Sequence, residues 1–295
     1  MDKKTFFEIA LQKGERVSDG GKSVYLVRNS SVPQRLYKYR PVNEFLFKIL
    51  SDKAIYHAGK DSFNDPLDGI NAYKLDFTLE DINTFFLKLG VNEPDLEKRQ
   101  RKHRQLVDVF GVKLDRFEEI FKRQFIEGSI ADFGISCFTT KNDNFLMWSH
   151  YADNHKGVCL EFDFSKEIDL LSSGQLDVTD SYMLCFRKVN YSGAVPVVNI
   201  KEIFAERFSP VYHKAKSWEY EDEYRSIRPD VGPYPFHPPC LQGVYVGLSA
   251  TRETIEQVTQ ALTQHGYNGV FVKKMVRKSG SYELDSAAIP SNHLK

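Results

Sequence analysis

The sequence predicts an α+β fold, a mixed, largely antiparallel sheet carrying helices and a helical insertion at about 76–128. Three observations predict it. Short apolar runs of strand length recur along the chain, helical patterns stand between them in irregular alternation, and no unit repeats. With 41% of its 295 residues hydrophobic, the chain can bury a full core. The reading is one α+β domain over 35–295, preceded by an N-terminal extension over 1–34.

The extension opens with an amphipathic pattern (Phe6, Phe7, Ile9, Ala10, Leu11), then a Gly20-Gly21 turn and a strand-like run at 23–27. Pro33 breaks the chain before LYKYR, a strand over 36–40 stopped by Pro41. Asn43 is placed to cap a helix with Phe45, Leu46, Ile49 and Leu50 on one face. A strand follows at 54–58. In FNDPLDG (63–69), Asp65 and Asp68 stand three apart, either in an Asx-turn that satisfies its own backbone or in a loop folded over a ligand's phosphate or sugar. Residues 76–128 read as helical and polar on one side. Their cluster Lys98, Arg99, Arg101, Lys102, His103, Arg104 reads as a solvated face or a nucleic-acid contact.

Residues 132–164 are the densest stretch. They read as a strand (134–139), a polar break (140–144), a helical turn (145–151), a second turn (152–157) and another strand (158–164). Met147 and Trp148 are expected in the core. His150, His155 and Tyr151 suggest a pocket wall; the plainer alternative has His150 donating to a backbone carbonyl, with Asn142 and Asp143 capping the turn. Then come a loop or short helix (168–176), a strand ending in a turn (183–193) and a helix from 200. In HKAKSWEYEDEYRSIRPD (213–230), the reading is a loop over 218–222 and a strand over 223–227. Glu219, Glu221 and Glu223 crowd together there and repel unless Lys214, Lys216, Arg225 or Arg228 compensate. The rest reads as a loop (232–239), a strand (243–247), a helix (251–265) capped by Thr251 with Glu253 and Glu256 in its early turns, and strands at 269–275 and 281–284.

Lys+Arg 40 balances Asp+Glu 40, so nothing global points to a polyanion partner. Aromatics at 13% favour a ring-lined pocket. Cys137, Cys159, Cys185 and Cys240 lie far apart with no CxxC, which reads as reduced, buried thiols in a cytoplasmic protein. The N-terminus carries too short an apolar run for a secretion signal, and no stretch approaches a membrane span. No membrane partner is expected.

LYKYR, FNDPLDG, ISCFTTKNDNFLMWSHYADNHKGVCLEFD and KSWEYEDEYRSI, in that order, resemble a large bacterial family, domain-of-unknown-function family twenty-nine seventy-one, from about residue 36 to 228. A second resemblance is to the ADP-ribosyltransferase superfamily, whose strand order is Arg-bearing, then Ser/Thr-bearing, then led by Glu-x-Glu. It implies that Arg40, or Lys38 in its place, is the first-strand cation, that Ser136, Thr139 and Thr140 form the hydroxyl strand, and that Glu221 with Glu223 is the acidic pair.

That resemblance implies NAD as co-substrate. Glu223 would stabilise the oxocarbenium-like ribose, Glu221 or His150 would position or deprotonate an acceptor, and Arg40 or Lys38 would pair with the pyrophosphate. Tyr37, Tyr39, Phe138 or Tyr151 would stack on nicotinamide or adenine beside Thr139. No metal is required. Such an enzyme would be a toxin or phage-defence effector acting on nucleic acid or protein, with an antitoxin or defence partner. Two other readings stand beside it. One is a metal-dependent nuclease using Asp65, Asp68, His150, His155, Glu221 and Glu223; the other is a non-catalytic sensor in which Arg225, Arg228 or Lys216 neutralises Glu223 away from any large pocket.

Overall fold

Strands Leu36–Arg40 (β1), Ala54–His57 (β2), Gly134–Thr139 (β3), Val158–Phe162 (β4), Phe186–Lys188 (β5), Glu223–Arg228 (β6), Gly232–Pro235 (β7), Leu241–Val246 (β8), Phe271–Arg277 (β9) and Leu284–Ala288 (β10) frame the site. With them stand helices Glu44–Asp52 (α1), Phe145–Tyr151 (α2) and Arg252–Gln264 (α3). They come from a computed structural model that describes residues 17–19, 22–24, 32–69, 72–74, 97–98, 101, 133–177, 180–183, 185–199 and 210–289. Most of the extension, nearly all of the helical insertion with most of its basic cluster, and the helix expected from 200 lie outside the described residues.

Eight strands form one sheet in the order β10-β9-β8-β4-β1-β3-β6-β5. Only its β8–β9 ladder is parallel, so the fold is α+β with a mixed, mostly antiparallel sheet. Strand alternation sends Leu36, Leu160, Phe162 and Val244 to one face. There α1 and α3 close over them. Leu46, Ile49 and Leu50 of α1 are buried, as are Ile255, Val258, Ala261 and Leu262 of α3. Each large aliphatic among these contributes about 1.5–3 kcal/mol.

The caps follow the sequence reading. Asn43 accepts from the Phe45 and Leu46 N–H groups, and Thr251 accepts from that of Thr254. Phe45 does not join the buried face. It is 61% exposed, because it sits to one side of the Leu46, Ile49, Leu50 stripe.

The opposite sheet face presents Tyr37, Tyr39, Cys159 and Tyr245, covered by Met147 and Trp148 of α2. Helix α2 is capped by Asn144, one residue beyond the expected Asn142 and Asp143. Trp148 is fully buried and donates through Nε1 to the Asn142 carbonyl (2.7 Å), which pins the polar break to the core. The following turn holds Asp153, Asn154 and His155 at positive φ, and the His155 N–H closes back on the Trp148 carbonyl. Boundaries differ from the sequence reading at several elements: the strand expected at 183–193 is two, Phe186–Lys188 and Asn190–Ser192, and the one expected at 158–164 ends at Phe162. Residues 232–235 are a strand, paired with β2 in a ribbon whose free edge tolerates Pro233 and Pro235. The final strand begins at Leu284, where residues 278–283 complete a turn closed by the Lys278 N–H on the Glu283 carbonyl.

The sheet has a seam. Strand β1 pairs with β4 along its whole length, and β3 with β6 along its whole length, but β1 meets β3 only at Tyr37↔Thr139. Farther along, the edge of β3 is bridged by Ala58, which exchanges both backbone hydrogen bonds with Ile135 (2.9 and 2.8 Å). Between these two rungs the strands stand apart.

Candidate functional site

A cavity of about 300 Å³ occupies the seam. Its walls come from β1, β3, β6 and α2, from the FNDPLDG turn, and from the segment between Lys214 and Glu221. Such a volume lies at the lower end of small-molecule sites.

One wall is acidic and fully paired. Arg225 grips Glu223 through Nε and Nη2 (both 2.9 Å) and grips Asp68 through Nη1 and Nη2 (2.8 and 2.6 Å). Lys214 forms a close ion pair with Glu221 and stands 3.6 Å from both Asp68 and Glu223. Tyr151 donates its hydroxyl to Glu221 (2.6 Å). Burial pushes the Glu223 carboxyl up, but Arg225 and Lys214 overcome this and hold it at about 2. Glu221 lies above its ordinary range, because burial, with Glu223 nearby, outweighs Lys214.

Local geometry explains why both glutamates reach the cavity. A 3-10 turn, Lys216–Glu221, ends at Asp222, whose left-handed backbone (φ 43°) swings the chain into β6. Asp222 itself turns outward to Lys188 (2.9 Å) and Thr140. Asn144, the α2 cap, also donates to the Tyr220 carbonyl (2.6 Å) and ties this turn to the helix. The FNDPLDG turn is an Asx-turn that also lines the cavity. Asp65 accepts from the Leu67 N–H as an Asx-turn does, and its second oxygen accepts from Trp218 Nε1 (2.7 Å) while Asp68 binds Arg225.

The other wall is basic, and among the described residues no counter-ion pairs with it. Lys38 Nζ donates to Ser136 Oγ (2.8 Å) and to the Cys137 carbonyl (2.9 Å), filling with a side chain the space a neighbouring backbone would take. Burial, reinforced by Arg40, pulls its amine down to about 7. Arg40 lines the cavity with its Nε buried and unbonded, and no carboxylate among the described residues forms an ion pair with its guanidinium. Gly157 lets the chain press on the Arg40 carbonyl, since a Cβ there would sit 2.3 Å from that oxygen.

Tyr37, Lys38, Tyr39, Arg40, Phe138, Thr139, Tyr151, Glu221 and Glu223 therefore share one cavity. Not all of them offer a free surface. Tyr39 donates to the Lys141 carbonyl and packs edge-on against Trp148, and Phe138 packs against Phe162, Phe164 and Phe186. His150 lies outside the lining, with Nδ1 against Tyr220 Oη at 3.0 Å, and His155 is buried against Ser149. Of the expected compensating cations, Lys214 and Arg225 act here, while Lys216 pairs with Glu219. Trp218, Tyr56 and Phe63 also line the cavity, and no spacing rule in the sequence marks them. Among the described residues no group of three or more His, Cys, Asp or Glu side chains could hold a metal ion. None of their helices is long and apolar enough to cross a membrane.

A family model described as "Protein of unknown function (DUF2971)" matches residues 147–226, and the chain resembles that family there. The match runs from Met147 of α2 to Ser226 of β6, so it holds the paired acidic wall apart from Asp68, while β1 and β3 precede it. No curated protein and no solved structure matches the chain.

Proposed function

We propose that the seam cavity binds NAD as co-substrate and breaks its nicotinamide–ribose bond in the manner of an ADP-ribosyltransferase. The observation that carries this reading is the convergence, in one cleft, of Arg40, which has no counter-ion among the described residues, and the Glu221–Glu223 carboxylates. Arg40 suits a pyrophosphate, and the rings of Tyr37, Tyr151 and Trp218 suit a flat heterocycle. The low pKa of Glu223 keeps it ionised, as a stabiliser of an oxocarbenium-like ribose must be. Asp68, Glu221 and Glu223 make three carboxylates against two cations, Lys214 and Arg225, so the wall keeps one excess negative charge when all are ionised. Glu221, with its raised pKa, suits proton transfer from an acceptor, a nucleic acid or a protein, as the toxin or phage-defence reading expects.

The bidentate Arg225 grip on Glu223 favours a second reading, ligand binding without catalysis. The test is release of nicotinamide from NAD, with and without cell extract, by wild type, Glu223→Gln and Glu221→Gln, alongside calorimetric titration with NAD. Release that both substitutions abolish, with folding intact, supports the transferase. Binding without release supports the sensor, and neither binding nor release removes NAD from the site.

A further inference from the structure

We propose that the seam cavity is an imine-forming site, in which the Lys38 amine captures the carbonyl carbon of a small anionic aldehyde or ketone whose negative group rests on Arg40. The proposal does not depend on the NAD reading.

It begins from a buried amine with no carboxylate in contact among the described residues. A buried lysine is normally paired with a carboxylate, because desolvating an ammonium costs several kcal/mol. The side chain of Lys38 is almost fully buried, yet its Nζ touches only the neutral Ser136 hydroxyl and Cys137 carbonyl and the face of Phe138 (4.7 Å to the ring centre). The carboxylates across the cavity are held by Arg225 and Lys214. The titratable groups facing Lys38 are Arg40 on its own strand, Cys137 on β3, His57 on β2 and Glu223 on β6; burial and Arg40 lower its pKa and prevail over Cys137 and Glu223, which raise it. At neutral pH about half of such an amine is unprotonated, against roughly one part in a thousand for an ordinary lysine. Unprotonated amines in apolar cavities are the nucleophiles of carbonyl chemistry.

The neighbours supply the rest. Ser136 Oγ, 2.8 Å from Nζ, is placed to donate to the free amine and to relay a proton. Arg40, two residues along the same strand and also facing the cavity, has its Nε unbonded and no anion paired with it among the described residues. A phosphate or carboxylate there would bring the rest of a small molecule toward Lys38. In the reaction, the Nζ lone pair attacks the carbonyl carbon, and the carbon–oxygen π pair moves to oxygen, which takes up a proton as nitrogen releases one. The carbinolamine then expels water, and the product is the imine.

Pyridoxal 5′-phosphate, an aldehyde with a phosphate, is a suitable probe. The whole protein is incubated with it near pH 7.5, reduced with borohydride, which delivers hydride to the imine carbon and leaves a stable secondary amine, and mapped by peptide mass spectrometry. Labelling at Lys38 is expected to exceed that at any other lysine by at least about tenfold, and to fall by about tenfold in Arg40→Gln, equivalent to about 1.4 kcal/mol. Lys38→Arg, which keeps the cation, should lose that label and retain the fold by circular dichroism. Labelling spread over surface lysines, or labelling at Lys38 indifferent to Arg40→Gln, overturns the proposal.

Discussion

The two walls of the seam cavity bury charge in opposite ways. On the β6 side every carboxylate touches a cation, three carboxylates sharing two: Arg225 takes Asp68 and Glu223, and Lys214 takes Glu221. On the β1 side Lys38 and Arg40 are buried or half-buried with no carboxylate paired to either among the described residues. The contrast separates charges paired within the fold from charges with no carboxylate paired to them among the described residues. A matched network is self-contained, and removing one member leaves its partners stranded. An unmatched cation costs stability, a cost that an anion bound as proposed would offset.

Arg225→Met puts the matched wall under the greatest stress. It strands Asp68 and Glu223 in a buried site and should cost about 3–5 kcal/mol in urea unfolding. A loss below about 1 kcal/mol would mean that the acidic wall does not hold the fold.

Acid is the next probe. The folded Glu223 carboxyl lies near 2, below its ordinary value of 4.5, so its contribution is present above about 4.5 and is lost as pH falls toward 2. The loss should be roughly 3 kcal/mol, because each tenfold difference in proton affinity between the folded and unfolded chain is worth about 1.4 kcal/mol. Glu221, whose carboxyl is pushed upward by burial and by Glu223, acts in the opposite sense, so a pH–stability profile of Glu223→Gln against wild type reads the Glu223 part together with the relief of Glu221.

The basic wall should answer differently. The folded Lys38 amine lies near 7, below its ordinary 10.5, so its burial penalty is full below pH 7 and is relieved as pH rises toward 10.5. Lys38→Met removes that penalty along with the Ser136 and Cys137 contacts. It should stabilise the protein by about 2 kcal/mol at pH 6 and flatten the alkaline rise in melting temperature. Destabilisation at pH 6 would instead make Lys38 a structural strut. The smallest effect should come from Asn144→Ala, which removes the α2 cap and the tie to Tyr220, at about 1 kcal/mol by urea unfolding. Its cost should fall on both walls equally, leaving the pH profiles unchanged.

Local signals made much of this legible. LYKYR is a strand over its whole predicted length, Asn43 and Thr251 cap the helices expected of them, and 134–139 and 145–151 match their elements. These depend on neighbours within a few residues, which is what periodicity and capping report. The rest depends on partners far along the chain. That Asp68 meets Arg225, 157 residues away, leaves no trace in local spacing. Nor does the left-handed Asp222, a residue with none of glycine's freedom, announce that Glu221 and Glu223 turn into the same space. His150 looked chemical because of its aromatic company, yet that company places it against Tyr220 and outside the cavity. The pairing of β7 with β2 was hidden by prolines that mark a turn in isolation and an edge strand in context.

A sheet joined by one rung at its middle is, for solvent, two sheets of five and three strands that share a hinge line. Amide hydrogens along β4, protected on both sides by β1 and β8, can exchange only when a half-sheet comes apart. Those of Tyr37 and Thr139 need only the hinge line to breathe. Deuterium should therefore enter at the cleft first, tracing its outline in time before any element unfolds.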